Sequence, residues 1–534
     1  MRSIPILTLV CLLILGGSSV AQNTQPTDQW PQAAGPNHNW TVQTQKAVPT
    51  QWSVTQDKNI RWKKPLPETG QSGIAVWGKR LFLTTMKPLT AQQAAESKKG
   101  TDIVLYCIDA DNGETLWQRE LTGDPKALSI YAYGFSSSSS PTPITDGKHV
   151  WFCNASGQMG CWTIDGKEVW TRRWTPTLGR PFNKQFEPIK IGDTILNMEP
   201  RAADDPLRRK DAWNYIKGFS AIDGSELWIA PEGLTHYNTP VLGKLSGGGH
   251  AVLAGRGAHH KVPESPPGLT LTKVDGSEAG QTVWSWKALP KGKTMVTQCW
   301  DQEYSYWLDE SRTDLVVLNT KDGTEAKKIS WIKDVTVTSY DPSTKAFQTR
   351  EGVNLDEGES PVEVFPAWFA NLSVRPYLYF QCFDFKGKRN VNYGPRTSIV
   401  RINVDTSKVE YLQLPFETPE VADQKVKGGQ TYYPSMVVNS RGIDVAEDRR
   451  SGRTGWWWCF NGNTIAVNQY LYFTFMCGKV QVIDGKATKF DQSALVSMND
   501  LGEFGKTWSV NTPSFSNGRI YHRTMKELIC IEAE

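Results

Sequence analysis

Histidines and carboxylates are the side chains that most often carry acid–base chemistry or bind metals, and this chain groups few of them. His259 and His260 are adjacent in GRGAHHKVPESPPG, a segment with the composition of a loop. Neighbouring residues of a strand point to opposite faces, so one metal ion rarely takes both side chains. Exposed loop positions are therefore favoured for this pair, with metal binding as the alternative.

Two carboxylate pairs lie in polar insertions: Asp204-Asp205, and Glu357 with Glu359. Two carboxylates can divide the roles of acid and base, but only when both face the same reacting atoms. Sequence spacing does not bring them together, and solvated positions are favoured. No catalytic, cofactor-binding or metal-binding residue is therefore assigned from the sequence.

Two glycine-rich segments invite comparison with phosphate-binding loops. Residues 73–79 read G-x-x-x-x-G-K, but Arg80 stands where that motif needs Ser or Thr. The segment also has the pattern of a strand hairpin and lacks the strand-to-helix context of such a loop. Gly247-Gly248-Gly249 has no helix pattern after it and is interpreted as a hairpin tip. Both segments are predicted to be turns.

The aromatic run Trp456-Trp457-Trp458 is a further candidate for ligand binding. Alternation along a strand would send Trp457 to the face opposite its two neighbours, so at least one ring could be exposed. An exposed ring could stack on a sugar or a peptide. Packing in the core or between sheets is favoured over this binding role.

The cysteines permit disulfides without requiring them. Cys153 and Cys161 flank NASGQMG, a predicted hairpin, and could face one another across its strands as a disulfide. Buried free thiols that act as small apolar side chains are the alternative for most of the cysteines. Since C-x-x-C does not occur, neither a zinc ribbon nor a thioredoxin-like site is supported.

The N-terminus has the features of a cleaved export signal. Residues 1–21 combine Arg2, a short apolar stretch and Ser19-Val20-Ala21, which fits a small-x-small cleavage site. Residues 22–58 are rich in Gln, Thr and Pro and are predicted to form an extended arm on the surface. No later segment has the length and apolar character of a membrane span. The sequence therefore predicts a periplasmic or secreted protein.

A formal net charge of +4 over 534 residues argues against nucleic acid as a partner, because a nucleic-acid-binding chain concentrates Lys and Arg on one face. Trp is frequent, at 22 residues, and β-branched and aromatic residues occur in short runs between Gly, Asn and Asp. This composition predicts an all-β protein.

The chain contains an internal repeat with a Trp at a fixed place. LYCIDADNGETLWQREL, GCWTIDGKEVWTRRW and GFSAIDGSELWIA align at Trp117, Trp170 and Trp228. Weaker copies end at Trp284 and Trp331, and a copy at Tyr411 replaces the Trp. Each copy has a strand, Ile-Asp or a variant of it, a turn, and an apolar-aromatic pair that opens another strand. Repetition of the Trp and the Asp favours an architectural role over a functional one.

Segments such as SPTPITDGKHVWFCN supply the first half of each unit, a strand, a turn and a second strand. The complete unit is a four-stranded antiparallel meander, which is the blade of a β-propeller. The last unit lacks its fourth strand, and NIRWKKPL around Trp62 supplies it, so the ring closes through an N-terminal strand. We expect eight blades within residues 59–534, with seven as the alternative.

The repeated Ile-Asp…Gly…Trp unit resembles the pyrroloquinoline quinone (PQQ) enzyme repeat. It is similar to the repeats of quinoprotein alcohol dehydrogenases and of the outer-membrane assembly scaffold BamB. WPQAAGPNHNW from Trp30 and GRIYHRTMKELICIE near the C-terminus also resemble a group of exported PQQ-like repeat proteins associated with planctomycete-type genomes. The resemblance covers most of residues 59–534 and implies the fold more than the function.

The dehydrogenase resemblance implies a quinone on the ring axis with Ca²⁺ and an Asp base. Many such enzymes cap the quinone with a disulfide between adjacent cysteines, and this chain has no Cys-Cys pair. Trp300-Asp301 begins a predicted blade and could place an Asp near the axis. An Asp that caps a turn is favoured there, so no quinone or calcium site is assigned.

We therefore expect a monomeric, exported propeller scaffold that binds a protein or polysaccharide in the cell envelope without catalysis. Its insertions around residues 85–100, 200–215 and 335–360 would decorate the loop-bearing face. The alternative is a PQQ-dependent alcohol or sugar dehydrogenase. A hydrolase or lyase on the same ring would need acid and base groups on the axis.

Overall fold

The computed structural model describes most of the chain. The residues that it describes are 28–97, 100–125, 132–133, 136–176, 187–202, 204–205, 214–234, 239–256, 267–288, 296–308, 313–341, 344–357, 362–386, 396–414, 435–446 and 461–533.

Short strands make up nearly all of the regular structure, as alternating apolar residues and frequent turn residues dictate. The elements of the first half are β1 (Thr41–Val42), β2 (Ile60–Pro65), β3 (Ala75–Trp77), β4 (Arg80–Met86), α1 (Ala91–Glu96), β5 (Ile103–Asp109), β6 (Thr115–Leu121), β7 (Ala132–Tyr133), β8 (Ser136–Ser137), β9 (Ile144–Thr145), β10 (His149–Asn154), β11 (Gln158–Thr163), β12 (Glu168–Arg173), β13 (Ile189–Ile191), β14 (Thr194–Pro200), β15 (Asn214–Ser220), β16 (Glu226–Leu234), β17 (Val241–Lys244), β18 (His250–Arg256), β19 (Gly268–Lys273) and β20 (Thr282–Lys287).

The second half of the chain continues the same pattern. Its strands are β21 (Tyr304–Trp307), β22 (Asp314–Asn319), β23 (Glu325–Ser330), β24 (Val335–Asp341), β25 (Ala346–Val353), β26 (Val362–Val374), β27 (Tyr377–Lys386), β28 (Arg396–Asn403), β29 (Val409–Gln413), β30 (Ile465–Val467), β31 (Tyr470–Thr474), β32 (Lys479–Asp484), β33 (Leu495–Asp500), β34 (Ser514–Ser516), β35 (Arg519–Arg523) and β36 (Glu527–Glu532). Two single 3₁₀ turns, Gly276–Glu278 and Gln492–Ala494, precede β20 and β33.

These strands form an all-β propeller. Seven of its sheets have four or more strands and are its blades: β3–β6, β9–β12, β13–β16, β17–β20, the six-stranded sheet of β24–β29, β30–β33 with β1, and β34–β36 with β2. A three-stranded sheet, β21–β23, lies between the fourth and fifth of these along the chain. The expectation of eight four-stranded blades, with seven as the alternative, is therefore confirmed for the propeller and for most of its blades, and seven sheets of this kind are present in the described residues.

The ring closes as the sequence predicted. β2 pairs antiparallel with β36, and Trp62 lies opposite Cys530. The blade of β34–β36 therefore takes its outer strand from the opposite end of the chain, and its sheet edge is paired.

One blade is wider than the repeat requires. β24 and β25 form a hairpin, and β24 pairs in parallel with β29. The pairing places this hairpin at the outer edge of the six-stranded sheet. The prediction that the insertion around residues 335–360 decorates the loop-bearing face is therefore wrong for β24 and β25. They widen a blade at the rim, because their strands find backbone partners on an otherwise open edge.

The repeated tryptophans join neighbouring blades. Nε1 of Trp117 donates to the carbonyl oxygen of Ile164 in the next blade at 3.1 Å, and Trp170 makes the same bond to Ala221 at 3.1 Å. Trp62 donates to Ala110 at 3.1 Å, so the closing strand forms an identical seam. The architectural role predicted for the repeated Trp is confirmed.

The glycines of the Asp-Gly turns make this contact possible. A Cβ atom on Gly166 would lie 2.8 Å from Cδ2 of Trp117, and one on Gly224 would lie 2.8 Å from Trp170. Both glycines also have positive φ, at 85° and 76°. A side chain at either position would displace the indole from the seam.

The weaker copies of the repeat differ at the seam. In β23, Lys327 donates through Nζ to the carbonyl oxygen of Val404 in the six-stranded sheet. Trp331, which the alignment assigned to the repeat, lies after that strand and is fully buried. The hydroxyl of Tyr411 donates to the carbonyl oxygen of Trp331. The sequence alignment therefore located the wrong residue at this seam.

None of the helices in the described ranges combines the length and apolar character needed to cross a membrane.

Candidate functional site

The N-terminal residues 28–42, which we call the axial segment, run against the inner strands of the ring. Trp30 and Val76 exchange two backbone hydrogen bonds, of 3.1 and 2.7 Å. The amide of Thr145 donates to Pro31 at 2.8 Å, and the amide of Lys190 donates to Oε1 of Gln32 at 2.9 Å. Because β3, β9 and β13 are the inner strands of three successive blades, these contacts place the segment at the ring axis.

The other end of the axial segment is bound to the opposite side of the ring. β1 pairs in parallel with β30, the inner strand of its blade. Ala466 donates its amide to Trp40 at 2.9 Å, and Asn468 donates its amide to Val42 at 3.0 Å. Trp30 and Trp40 are each 1% exposed, so the segment buries two indoles at the centre of the molecule.

The axial segment lies at one end of the axis, which we call the turn face. The turns from β3 to β4 and from β5 to β6 are at this end, and the amide of Gly78 in the first of them donates to Gln29 at 2.7 Å. The opposite end, the loop face, carries the connections from each outer strand to the next inner strand.

Hydrogen bonds between the segments that precede the inner strands form a polar arc at the loop face. Asn463 donates its amide to Oγ1 of Thr512 at 2.9 Å, and Asn511 donates through Nδ2 to the carbonyl oxygen of Ser72 at 2.7 Å. Gln71 accepts at Oε1 from the hydroxyl of Ser140 at 3.1 Å. These bonds link four consecutive blades.

Glu187 ends the polar arc in a fifth blade. Its carboxylate accepts the amide of Thr142 at 2.6 Å and the hydroxyl of the same residue at 3.0 Å. At the other end of the arc, Oδ1 of Asn463 and Oδ1 of Asn511 are buried without a hydrogen-bond partner. Buried acceptors of this kind are usually satisfied by ordered water, which would complete the arc.

A small cavity separates the axial segment from two blades. Its volume is about 10 Å³, and it is lined by Gln32, Ala33, Ala34, His38, Glu187, Pro188, Ile189, Thr239, Pro240 and Leu242. This volume holds about one water molecule and is far below that of a substrate pocket. Nε2 of Gln32 lies 2.8 Å from Nδ1 of His38. Burial, with the nearby charges of His250 and Lys244, lowers the pKa of His38 to about 4.

A strap of residues 435–446 crosses the loop face. Its main anchor is Glu68, which is fully buried and accepts the amide of Ser440 at 3.0 Å and also its hydroxyl. Nη1 of Arg441, itself 1% exposed, lies 3.5 Å from the same carboxylate. A buried ion pair with further hydrogen bonds fixes geometry more than it adds stability, so the strap is held in one position.

A second buried cation lies beside this anchor. Arg523 is fully buried and donates through Nη1 to the carbonyl oxygen of Thr84 at 2.7 Å and to the hydroxyl of Ser72 at 3.3 Å. Burial lowers the pKa of Arg523 to about 9. His522, next to it, is also fully buried; burial lowers its pKa to about 3, and Nε2 lies 3.0 Å from Oγ1 of Thr474.

Asp301, the candidate for an axial base, caps a turn. Its Oδ1 accepts the amides of Glu303 and Tyr304, each at 2.8 Å, and its Oδ2 accepts the hydroxyl of Tyr306 at 3.2 Å. The turn lies between Trp300 and β21 at the turn face. The turn-capping interpretation is confirmed.

Cys153 and Cys161 do not form the possible disulfide. Both lie in the predicted hairpin, but Cys153 is opposite Met159, and Cys161 is opposite Trp151. The register therefore separates the two thiols, and both are free and buried. The disulfide hypothesis is wrong for this pair.

The glycine-rich segments form turns, as the sequence predicted, and one carboxylate of each of the two acidic pairs lies beside a basic side chain. Residues 73–79 lead into the turn between β3 and β4, and Gly247-Gly248-Gly249 form the tip of the hairpin of β17 and β18. Asp205 pairs with Arg201 at 2.9 Å, and Glu357 lies 3.3 Å from Lys333. His259, His260, Glu359 and the run of Trp456, Trp457 and Trp458 lie outside the described residues.

The described residues do not fit a calcium-bound quinone. Within them, no three His, Cys, Asp or Glu side chains gather as metal ligands. The carboxylates of Asp301 and Glu187 are both committed to protein donors. The axial segment also fills the turn-face end of the axis. We therefore derive no chemical step through a quinone.

Two sequence signals could have located this site. Small polar residues before a Pro recur ahead of the inner strands, in SPTP and NTP, and these become the polar arc. WPQAAGPNHNW contains two aromatic anchors in an otherwise polar N-terminal segment. Neither signal predicts that these residues lie at the ring axis. A sequence repeat predicts the strands of one blade, and it does not predict which residues occupy the space between the blades.

Comparison with known proteins supports the repeat assignment. Residues 40–247 match a family model described as outer membrane protein assembly factor BamB, which covers less than half of the chain. None of the curated proteins matches the sequence significantly.

Solved structures share the fold at low sequence identity. A europium-containing methanol dehydrogenase is 10% identical with a TM-score of 0.53, over 92% of this chain and 89% of that chain. Quinohemoprotein alcohol dehydrogenase from Comamonas testosteroni is 11% identical with a TM-score of 0.51, over 95% and 81%. Another, from Pseudomonas putida, is 10% identical with a TM-score of 0.52, also over 95% and 81%. The chain is therefore a β-propeller with PQQ-like repeats, similar in part of its sequence to the BamB family model and in fold to quinoprotein alcohol dehydrogenases.

Proposed function

We propose that this chain is an exported, non-catalytic scaffold that binds another protein through its outer surface. The single observation that carries the proposal is the filling of the axis by the chain's own residues. Trp30 and Trp40 occupy the turn-face end, and the cavity that the described residues leave beside the axial segment, about 10 Å³, holds about one water molecule. A ring whose centre is filled in this way offers its rim and faces to partners.

The rim carries exposed aliphatic side chains at one repeated position. Leu116, Val169 and Leu227 each precede a repeat Trp in three consecutive blades, and their exposed fractions are 49%, 46% and 53%. Single exposed apolar residues are ordinary. Here the repeated position gives three consecutive blades the same kind of exposed side chain, and we propose this row as the surface that binds the partner. We call these three residues the rim row.

The same proposal includes three further points. The chain is exported, it is periplasmic or secreted, and its alternative partner is a polysaccharide. They rest on the signal-like residues 1–21 and on the similarity to the BamB model. A planctomycete-type origin stays a prediction.

We also infer that the three-stranded sheet is an eighth blade. Trp284 donates through Nε1 to the carbonyl oxygen of Thr320 in that sheet at 2.7 Å, as the other repeat tryptophans do at their seams. A Cβ on Gly323 would lie 2.7 Å from the Trp284 ring, which is also the pattern of those seams. Trp300, bridged to Ser305, would be its short inner strand.

The test is capture of partners from a bacterial envelope extract with the tagged protein and a chemical cross-linker. A variant with Leu116→Ser, Val169→Ser and Leu227→Ser should lose the captured protein at least tenfold. The matched control, Met436→Ser with Val438→Ser, removes two exposed apolar side chains from the strap and should retain it. Equal loss in both variants, or capture of glycan alone, would contradict a rim-bound protein partner.

The dehydrogenase alternative has its own assay. Purified protein is incubated with PQQ and Ca²⁺, and quinone absorbance and dye-linked oxidation of alcohols are measured. Stoichiometric quinone binding with alcohol oxidation would overturn the scaffold proposal.

A further inference from the structure

We propose that the inner strand edges at the turn face form a peptide-binding groove, and that the axial segment, residues 28–42, is its ligand bound in cis. The ligand class is a peptide with two tryptophans ten residues apart, which pairs with strand edges near its two ends and forms turns between them. This inference concerns the ring itself and stands independently of the proposed outer-surface partner.

The contacts have the form of peptide recognition. Trp30, Trp40 and Val42 make backbone hydrogen bonds to the inner strands β3 and β30, with lengths of 2.7 to 3.1 Å. Two side chains, Trp30 and Trp40, are then 99% buried in the space that the blades surround. Backbone pairing to a strand edge gives affinity, and side-chain pockets at intervals give specificity.

The blades do not need the axial segment to complete their sheets. β3, β9, β13 and β34 each pair with their own neighbouring strand. The axial segment extends these sheets only through the bridge of Trp30 to Val76 and the two residues of β1. Neighbouring blades are joined elsewhere, at the rim by the seams of Trp62, Trp117 and Trp170 and at the loop face by the polar arc. The ring should therefore keep its shape when the segment leaves.

Two residues of the axial segment adopt a backbone conformation that is uncommon in a free peptide. His38 and Trp40 both have φ of 61°, a left-handed conformation that a bulky side chain rarely adopts in a free peptide. Asn37 and Asn39 stabilise it locally: Asn37 donates to the carbonyl oxygen of Thr41 at 3.0 Å, and Asn39 accepts the amide of Thr41 at 3.1 Å.

The connection to the ring offers a place to cut. After the axial segment the chain crosses the β30–β33 blade, where Trp52 stacks on Tyr472 with ring centroids 6.3 Å apart. Residues 55–58 then form an exposed turn before β2. A protease site inserted between Gln56 and Asp57 would detach the axial segment together with residues 43–56, which make hydrogen bonds of their own to the β30–β33 blade. The cut would leave β2, the closing strand, in the ring.

The experiment uses the full chain, folded first and then cut at this site. Retention of the cut segment is followed by gel filtration at nanomolar concentration, and the ring is followed by near-ultraviolet circular dichroism. The wild-type segment should stay bound. A chain with Trp30→Ala and Trp40→Ala should release it while the ring stays folded. The control is Gln51→Ala, an exposed residue of the detached piece that lies outside the axial segment, which should behave as wild type.

The emptied ring should then bind a labelled synthetic peptide of residues 28–54 at one-to-one stoichiometry. The same peptide with both tryptophans replaced by alanine should bind at least tenfold more weakly. Three outcomes would overturn the proposal: immediate release of the wild-type segment, equal retention of the doubly substituted segment, or unfolding of the ring when the segment leaves. The last outcome would make the segment an integral core element and leave the outer-surface proposal unaffected.

Discussion

At the residue scale, buried titratable groups link this fold to pH. His522 is fully buried with a pKa of about 3, because burial penalises the charged imidazolium. In the unfolded chain the same residue has its ordinary value of 6.5. Between these two values the unfolded state binds the proton and the folded state does not.

Acidification should therefore destabilise the protein through His522. The free energy of unfolding should fall as the pH drops below 6.5, by about 1.4 kcal/mol per pH unit from this residue. His522→Gln should remove that slope from urea denaturation curves measured between pH 7 and 5. His149→Gln serves as the control because the His149 side chain is 40% exposed, and it should keep the wild-type slope. An unchanged slope in His522→Gln would refute this prediction.

The cysteines give a second prediction at the residue scale. Seven of them are buried and are not joined in disulfides: Cys107, Cys153, Cys161, Cys299, Cys382, Cys477 and Cys530. Burial raises the pKa of Cys107 and Cys161 to about 12, so little thiolate forms at pH 8.

Iodoacetamide at pH 8 should leave these seven thiols unmodified in the folded protein and modify them after denaturation. Peptide mass spectrometry identifies the sites, and a reducing agent should leave the melting temperature unchanged. Rapid labelling of Cys153 or Cys161, or a lower melting temperature on reduction, would contradict the free, buried state of this pair.

At the residue scale the sequence was most reliable where a local rule applied. Asp301 caps its turn because a short carboxylate can reach the amides two and three residues ahead. The pairing of Cys153 with Cys161 failed because a hairpin's register depends on its turn, which joins Asn154 to Gln158 and offsets the two thiols.

At the element scale, each repeat unit folds as a four-stranded meander because two local patterns predict the same strands: alternating apolar residues mark the strands, and Gly, Asn and Asp mark the turns between them. The seam is the feature that the repeat conserves: an indole on one blade against a turn glycine on the next. Where Lys327 replaces the Trp, a charged donor reaches the same kind of carbonyl. The alignment missed Lys327 because its bond to Val404 joins residues that are far apart in the sequence, and a comparison of short repeats does not show such a contact.

Substitution of a seam glycine should be costly for a specific reason. Gly166→Ala places a Cβ 2.8 Å from Trp117 at a φ of 85°, so it adds steric displacement to backbone strain. Gly192→Ala is the matched control, since Gly192 also has positive φ, 52°, but no atom lies within 4 Å of its Cβ position. Gly166→Ala should lose about 1–3 kcal/mol more than the control in urea denaturation. Equal losses would show that the Trp117 contact is not tight.

At the scale of the whole molecule, ring closure joins the two ends of the chain through β2 and β36. Loop closure over so long a stretch is entropically expensive, so a covalent link there should stabilise the fold more than a local one. Pro65 and Glu527 are directly opposite each other in the two strands.

A disulfide from Pro65→Cys with Glu527→Cys should raise the free energy of unfolding by about 2–4 kcal/mol. The control joins Asp341→Cys with Ala346→Cys at the end of the β24–β25 hairpin, where the closed loop is short. Its gain should be smaller, because the loop-closure entropy that a disulfide removes from the unfolded chain grows with the logarithm of loop length. Denaturation with and without reductant measures both gains, and an equal gain at the two sites would argue against closure through β2.

The amino-acid sequence by itself determined the blade and its repetition, because strand alternation, Asp-Gly turns and a recurring Trp act over fewer than about 20 residues. It also identified the closing strand at Trp62, since a missing fourth strand leaves a gap in the pattern. Only the tertiary structure decided what fills the centre. Trp30 meets the edge of β3 at Val76, and Trp40 meets the edge of β30 at Ala466, in the last blades of the chain. The enclosed space arises only when all the sheets have assembled.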